Sequence, residues 1–372
     1  MKLPEDLDNM KNLTMLNVDK CVSLTRLPHG IGQLSDLQKL SVHVTADNLA
    51  SVILKLQSLA NLKELCLKKL DELPSAEDAG ALKLKDKRFL EQTPKWMTRR
   101  QGYLKHLRRL LVNLRKCERL PPLGQLLGLE TIEISGMDSI TTVDDAFYGD
   151  GDSGGDNNND GDGDSDDDRD DDGGTFPRLK SLIFSEMPML ERWLKPKGEG
   201  DMFPRLRRLM LIQCPKFKEL HVRLPSRWRL TLSVWLNNDK LLSSEFVGWQ
   251  NLERVRWLEI SGCEELRCLP PGLKHLEHLR RLEIVRCNNL TSLPDWLAQL
   301  KSLDCLVVRD CAMLRCLPPG LKHLERLRRL EIIRCNSLIS LPDWLAQLTI
   351  LDLSEGHRIP LRLIVRDCAL LA

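Results

Sequence analysis

The last third of this chain is written twice, and that constrains its fold more than any other feature. The run LPPGLKHLEHLRRLEI from Leu269 returns as LPPGLKHLERLRRLEI from Leu317, and LPDWLAQL from Leu293 returns from Leu341, both 48 residues on. Inside each 48 lies a looser repeat of 24, since Val255, Leu279, Leu303 and Leu327 each open the frame LxxLxLxxCxxLxxLPxxLxxL. A period of this length means stacked units, none of which can bury its apolar residues alone. The LxL segment alternates with period two, which predicts a short strand with Leu282 and Ile284, or Leu330 and Ile332, facing inward. The following Leu-Pro breaks the strand direction. In Pro294 to Leu297, Asp295 stands where it can cap one helical turn on the outer side.

The same frame recurs upstream with less regularity. It runs through Leu13, Leu16, Val18 and Cys21, then Leu62, Leu65 and Leu67, then Leu129, Ile132 and Ile134. It continues through Leu179, Leu182 and Phe184, and through Leu206, Leu209, Leu211 and Cys214. Roughly twelve or thirteen rungs are expected, stacked ~4.8 Å apart. The fold class is therefore α/β: a leucine-rich-repeat solenoid, or horseshoe, with a parallel concave sheet and short helical or irregular outer turns. The organisation reads as an N-terminal repeat block over 1–148 (irregular at 76–103), an acidic insert at 149–174 and a middle block at 175–223. A degenerate repeat follows at 224–251, then a regular block of 24-residue repeats at 252–372, interrupted at 351–360.

Charge separates the insert from the body. Residues 149–174 hold twelve Asp and one Arg, a charge of −11, so the chain's formal +2 leaves +13 everywhere else. The insert reads as disordered, either solvated or lying on the basic body. Asp160, Asp162 and Asp164 resemble the start of a calcium loop, but Ser165 stands where the turn needs Gly. No run of eighteen apolar residues exists, and the acidic start MKLPEDLDNMKNL is unlike a signal peptide, so a cytoplasmic protein with no membrane partner is expected. In that compartment the N-x-T sites at Asn12 and Asn289 would go unused.

Seven cysteines, Cys21, Cys214, Cys263, Cys287, Cys311, Cys335 and Cys368, share one frame position. That position turns inward, where a small side chain can bond the backbone of a neighbouring turn. Rungs ~4.8 Å apart are a poor geometry for a disulfide. A zinc reading of the pairs Cys263/Cys268 and Cys311/Cys316 fails because the second members sit elsewhere in the frame. No phosphate loop, GxSxG, HExxH or dinucleotide fingerprint occurs, and His275 and His323 recur on outer turns only because the repeat does. No enzyme activity, metal or cofactor is expected of this chain.

One surface pattern stands out. LRRL occurs at Leu107, Leu206, Leu279 and Leu327, and its second Arg (Arg109, Arg208, Arg281, Arg329) falls at an exposed strand position. In the regular section Glu259, Glu283 and Glu331 sit two residues on, with Arg286, Arg309, Arg334 and Arg366 beyond, so alternation predicts charged columns on the concave side. Two readings stay open: a solvated, salt-bridged face, or a docking surface for an acidic protein. Nucleic acid is disfavoured because aromatic residues are not interleaved with the Arg.

Several segments carry a family resemblance: LTRLPHGIGQLSDLQKL (Leu24 to Leu40), LPPLGQLLGLETIEISGM (Leu120 to Met137) and DDAFYG (Asp144 to Gly149). After the insert come FPRLKSLIFSEMPMLERW (Phe176 to Trp193) and FPRLRRLMLIQCPKF (Phe203 to Phe217). In this order, with a variable insert between FYG and FP, the chain resembles the repeat region of plant intracellular coiled-coil nucleotide-binding leucine-rich-repeat disease resistance proteins. The LxGxIP pattern of extracellular plant repeats is absent. The resemblance implies a sensor and a brake: a pathogen effector, a guarded host protein or the receptor's own nucleotide-binding module as partner. The coiled-coil and nucleotide-binding module lie outside this sequence, so ADP or ATP is implied only if such a module stands upstream. The alternatives are a stand-alone scaffold of the Ras-binding leucine-rich-repeat type, which shares LPxxLxxL, and a truncated pseudogene product.

Overall fold

The computed structural model describes the chain apart from residues 45–51, 53–54, 57, 69–105, 114–118, 150–174, 198–201, 225–228, 348, 352–357, 361 and 370–372, and a few single positions before residue 27. The irregular stretch 76–103 and nearly all of the acidic insert, including the calcium-like Asp160, Asp162 and Asp164, lie outside the described residues. The rest divides into two compact units: Met1–Lys180 with Leu194–Arg205, and Ser181–Trp193 with Leu206–Ala372. No helix among the described residues is long and apolar enough to cross a membrane.

The first unit stacks five parallel strands, each paired to the next: β1 (Met15–Val18), β2 (Lys39–His43), β3 (Glu64–Lys68), β4 (Arg109–Asn113) and β5 (Thr131–Ser135). The period-two residues do what the pattern predicts: Leu65, Leu110, Ile132 and Ile134 are fully buried. Each is worth ~1.5–3 kcal/mol relative to exposure, which one rung alone could not realise. An aromatic cluster completes this core. Asp144 caps the turn Asp145–Tyr148 by accepting from the Ala146 N–H, and Gly149, at φ 98°, ends it. Phe147 and Tyr148 then meet Phe176 and Phe203 at centroid distances of 5.0 to 6.4 Å. The FYG and FP segments are thus one clasp at the root of the insert.

The second unit stacks eight parallel strands in order: β6 (Ser181–Ser185), β7 (Arg208–Ile212), β8 (Leu230–Trp235), β9 (Val255–Ser261), β10 (Arg281–Val285), β11 (Cys305–Arg309), β12 (Arg329–Ile333) and β13 (Arg362–Arg366). From β9 to β12 the register is the repeat itself, with Leu258, Leu282, Leu306 and Leu330 as consecutive partners. The degenerate stretch supplies β8 despite its weak pattern, with a register shift against β9 at Leu230/Thr231. The interruption near 351–360 holds a short antiparallel pair, Thr349–Leu351 with Arg358–Pro360, and β13 then rejoins β12 in register.

The outer turns of the regular rungs are 3-10 turns: Pro271–His275, Asp295–Gln299, Pro319–His323 and Asp343–Gln347. Asp295 does not cap its own turn. It is the turn's first residue, and its carboxylate accepts from the N–H of Gly320 on the next rung, 3.2 Å away. Gly320 is required there, because a Cβ would press on the Asp295 carbonyl.

Past most strands of this unit one residue takes a left-handed conformation, as Glu186, Gln213, Arg286, Asp310, Arg334 and Asp367 do at φ 53–55°. The turn aims each N–H at the following rung: Arg286 donates to Arg309 O, Asp310 to Ile333 O and Arg334 to Arg366 O, all at 2.9 Å. The cysteine position follows immediately. Cys287 Sγ donates to Val285 O at 3.6 Å, and Cys335 Sγ reaches Val308 O on the previous rung at 3.9 Å. Burial pushes Cys214 up to about 12 and Cys335 up to about 11, so both stay protonated donors. The described cysteines are free thiols, with Cys263 and Cys311 buried while Cys268 and Cys316 are exposed. Among the described residues no three His, Cys, Asp or Glu gather to hold a metal.

Candidate protein-recognition face

The open side of the second unit's sheet carries three rows of side chains, set one rung apart by the strand register. Trp257, Arg281, Cys305, Arg329 and Arg362 form the first row. Glu259, Glu283, Val307, Glu331 and Ile364 form the middle row, and Ser261, Val285, Arg309, Ile333 and Arg366 the third. The expected columns therefore exist, but they are not all alike.

The middle row is covered by its neighbours. Glu283 is 8% exposed and Glu331 only 1%, although both face the open side. Glu331 is clamped from two rungs: Arg309 Nη2 donates to its Oε2 at 2.6 Å, and Arg329 Nε donates to its Oε1 at 2.5 Å. Burial pushes the Glu331 carboxyl up, but the hydrogen bonds from Arg309 and Arg329 outweigh it and hold the group below the usual range. Arg281 pairs with Glu283 and also lies over the Trp257 ring, 4.8 Å from its centroid. These arginines are locked in place, which supplies a rigid, ordered surface.

Arg286 and Arg334 do not join the columns. Strand alternation ends at Val285 and Ile333, and the left-handed turn swings the next residue out, so these two are exposed in one row with half-buried Asp310 and exposed Asp367. There Arg334 Nη2 donates to Asp310 Oδ2 at 2.8 Å, and that hydrogen bond holds the Asp310 carboxyl below the usual range. Arg208 is exposed at the start of β7, between Ser181 and Thr231, and Arg366 is exposed beside Ile333. Arg109 belongs to the first unit, where it stands 3.7 Å from Glu64.

Two groups on this face escaped the sequence reading. Trp257 occupies the row of Arg281, and Trp235 the row of Ser261. Aligning VRWL at Val255 with LRRL at Leu279 would have placed Trp257. Aromatic side chains are therefore interleaved with Arg here, contrary to the sequence reading, but the Arg281 guanidinium covers one face of the Trp257 ring. The Nε1 donors of Trp235 and Trp257 and the Nε of Arg309 are buried without an acceptor. The other overlooked group occupies the position of the first Arg in LRRL. Arg256, Arg280, Asp304 and Arg328 stand on successive rungs at the leading edge of the strands, where Arg280 N donates to Arg256 O, Asp304 N to Arg280 O and Arg328 N to Asp304 O, each at 2.8 Å. Among the described residues none of these four side chains forms an ion pair.

With this geometry in view, the comparisons are specific in one direction. A scan against protein-family models found no match. Among curated proteins the chain is similar to three plant disease resistance proteins. It is 29% identical over 109 residues (28% of this chain) to RPP13-like protein 1 of Arabidopsis thaliana, and 30% over 119 residues (32%) to a second protein of that plant. It is 28% identical over 183 residues (48%) to disease resistance protein RGA2 of Solanum bulbocastanum. The chain spans 9%, 7% and 16% of those relatives' own lengths. Similar solved structures include the leucine-rich repeat domain of the type III effector XopL, at 17% identity and TM-score 0.34, covering 97% of this chain and 80% of that one. Another is the functional domain of InlJ from Listeria monocytogenes, which includes a cysteine ladder, at 16% identity and TM-score 0.36, covering 91% and 62%. The chain is a leucine-rich-repeat protein that resembles part of plant disease resistance proteins.

Proposed function

We propose that this chain is the recognition part of a plant defence receptor, and that the open face of its second unit binds a protein partner. The partner is a pathogen effector, a guarded host protein or the nucleotide-binding module of the same receptor, and in the last case the contact is a brake. One observation carries the reading: an ordered layer of Arg, Glu and Trp, fixed by internal ion pairs, lies open in a chain that is similar over part of its length to plant disease resistance proteins. Preorganised side chains lose little entropy on binding, which is what a recognition surface needs. The contact belongs inside the cell, where such receptors act.

The test is association in leaf cells between the full chain and the nucleotide-binding module of a plant resistance protein. Association is expected, and the double variant R281E/R329E is expected to weaken it at least about tenfold and to flatten its salt dependence. Unchanged association of that variant removes the open face from the account. Absence of any association removes the brake reading.

A further inference from the structure

The leading-edge arginines extend that reading to the chemistry of the partner. From Arg256 to Asp367, the open face and its two flanking rows carry ten Arg and six carboxylates. The carboxylates with ion-pair partners are Glu283, Glu331 and Asp310, held by Arg281, by Arg309 and Arg329, and by Arg334. Among the described residues Arg256, Arg280 and Arg328 form no ion pair. Arg256 and Arg280 are backbone-bonded neighbours on adjacent rungs, and Arg329 faces Arg362 in register. Like charges set directly opposite are destabilising, a cost that a bound anion removes.

The spacing narrows the choice of anion. Two Arg dyads, Arg280/Arg281 and Arg328/Arg329, lie two rungs apart, ~10 Å by the rung spacing. In each dyad one guanidinium is anchored to a carboxylate and the other is free. Between them stands Asp304, half-buried and unpaired, its carboxyl pushed up by burial against the pull of Arg280 and Arg328. A continuous polyanion such as a nucleic-acid backbone would meet Asp304 at its midpoint. A protein segment with carboxylates ~10 Å apart and neutral residues between them would contact both dyads and pass over it.

We propose, on the reading of this face as a protein-recognition surface, that the dyads Arg280/Arg281 and Arg328/Arg329 bind an acidic segment of the partner whose carboxylates recur about every 10 Å. An extended polyproline-II stretch meets that requirement. It has three residues per turn and rises ~3.1 Å per residue, so acids at i and i+3 share a face about 9 Å apart. The planar fork of Arg suits bidentate capture of each carboxylate.

Three labelled probes with equal numbers of acidic groups test this on the full chain. One is a twelve-residue Glu-Pro-Pro repeat, one a peptide of the same composition with its four Glu in a block, and one a pentanucleotide of single-stranded DNA. The spaced peptide is expected to bind at least about tenfold more tightly than either other probe. Binding of the blocked peptide or the DNA as tight as the spaced one overturns the proposal. R280E/R328E and the uncharged R280Q/R328Q are both expected to abolish the preference, while K274E/K322E, with the same charge change on the outer turns, is expected to leave it within about twofold. Circular dichroism and melting of each variant separate lost binding from lost fold. Equal losses in the Arg and Lys variants also overturn the proposal. If the spaced peptide shows no preference while R281E/R329E still weakens association with the nucleotide-binding module, the recognition reading stands and the spaced-acid segment alone falls.

Discussion

Arg108, Glu130 and Lys180, all in the first unit, are joined in turn by backbone hydrogen bonds in the same order of charge, base, acid, base, as Arg280, Asp304 and Arg328 in the second. The outcomes differ. Glu130 reaches both neighbours, with Lys180 Nζ at 2.7 Å and Arg108 Nη1 at 3.6 Å, and the Lys180 hydrogen bond holds its carboxyl below the usual range. Asp304, one methylene shorter and raised by burial, pairs with neither arginine. The same charge pattern thus closes on itself in one unit and stays open in the other. Surface ion pairs contribute little to stability, so the difference bears on what each edge can bind.

The cores differ as well, which allows sharper tests. The first unit adds the aromatic clasp to its Leu and Ile ladder, whereas the longest regular run of repeated Leu lies in the second. Phe176→Ala should cost about 3–5 kcal/mol in thermal or denaturant unfolding, and a loss below about 1 kcal/mol would break the view that the clasp completes the first unit's core. In the second unit the largest polar loss should come from Asn238, which stands among the cysteine rungs. It is fully buried, accepts from Cys214 N at 3.2 Å and donates to Trp235 O at 2.6 Å. Asn238→Ala should cost about 2–4 kcal/mol because it orphans those backbone groups, whereas Cys311→Ala, which loses only weak S–H donors, should cost about 1 kcal/mol. Equal costs would mean that the backbone finds other partners.

Glu331 gives a pH-dependent test. Its folded pKa is depressed, so its contribution is present above the ordinary carboxylate range and is lost as pH falls through the folded value below about 4.5. Glu331→Gln should cost about 1–2 kcal/mol at neutral pH, below the figure for a fully buried pair because its arginines are more than a third exposed. The variant should also lose stability less steeply below pH 4.5 than the wild type. An unchanged acid slope would assign that slope to other carboxylates. The smallest effect should be a gain: Arg286→Gly relieves a left-handed residue at φ 54° and should raise stability by about 0.5–1 kcal/mol.

These residues also show what periodicity could reveal. Alternation placed Leu282, Ile284, Leu330 and Ile332 inside because a repeated apolar position has one physical explanation in a stacked rung. Arg286 and Arg334 lie five residues after Arg281 and Arg329, so period two excludes them from those columns, and it is the left-handed turn that swings them out. Asn238 was hidden because both Leu236 and Asn237 are left-handed there, which inserts one residue and shifts the frame. Local capping rules point Asp295 at its own turn because they do not see the next rung, which is where its carboxylate finds Gly320. Arg280 and Arg328 precede their strands, so alternation within a strand does not place them.

The central claim is that the open edge of the second unit recognises a partner and the closed edge of the first does not. The most direct measurement is the dissociation constant of the spaced acidic peptide for R108E/K180E and for R280E/R328E, two variants that change the charge equally. The account predicts that the first binds within about twofold of the wild type and the second at least about tenfold more weakly. Equal weakening in both would show that the peptide senses only net charge and would contradict it.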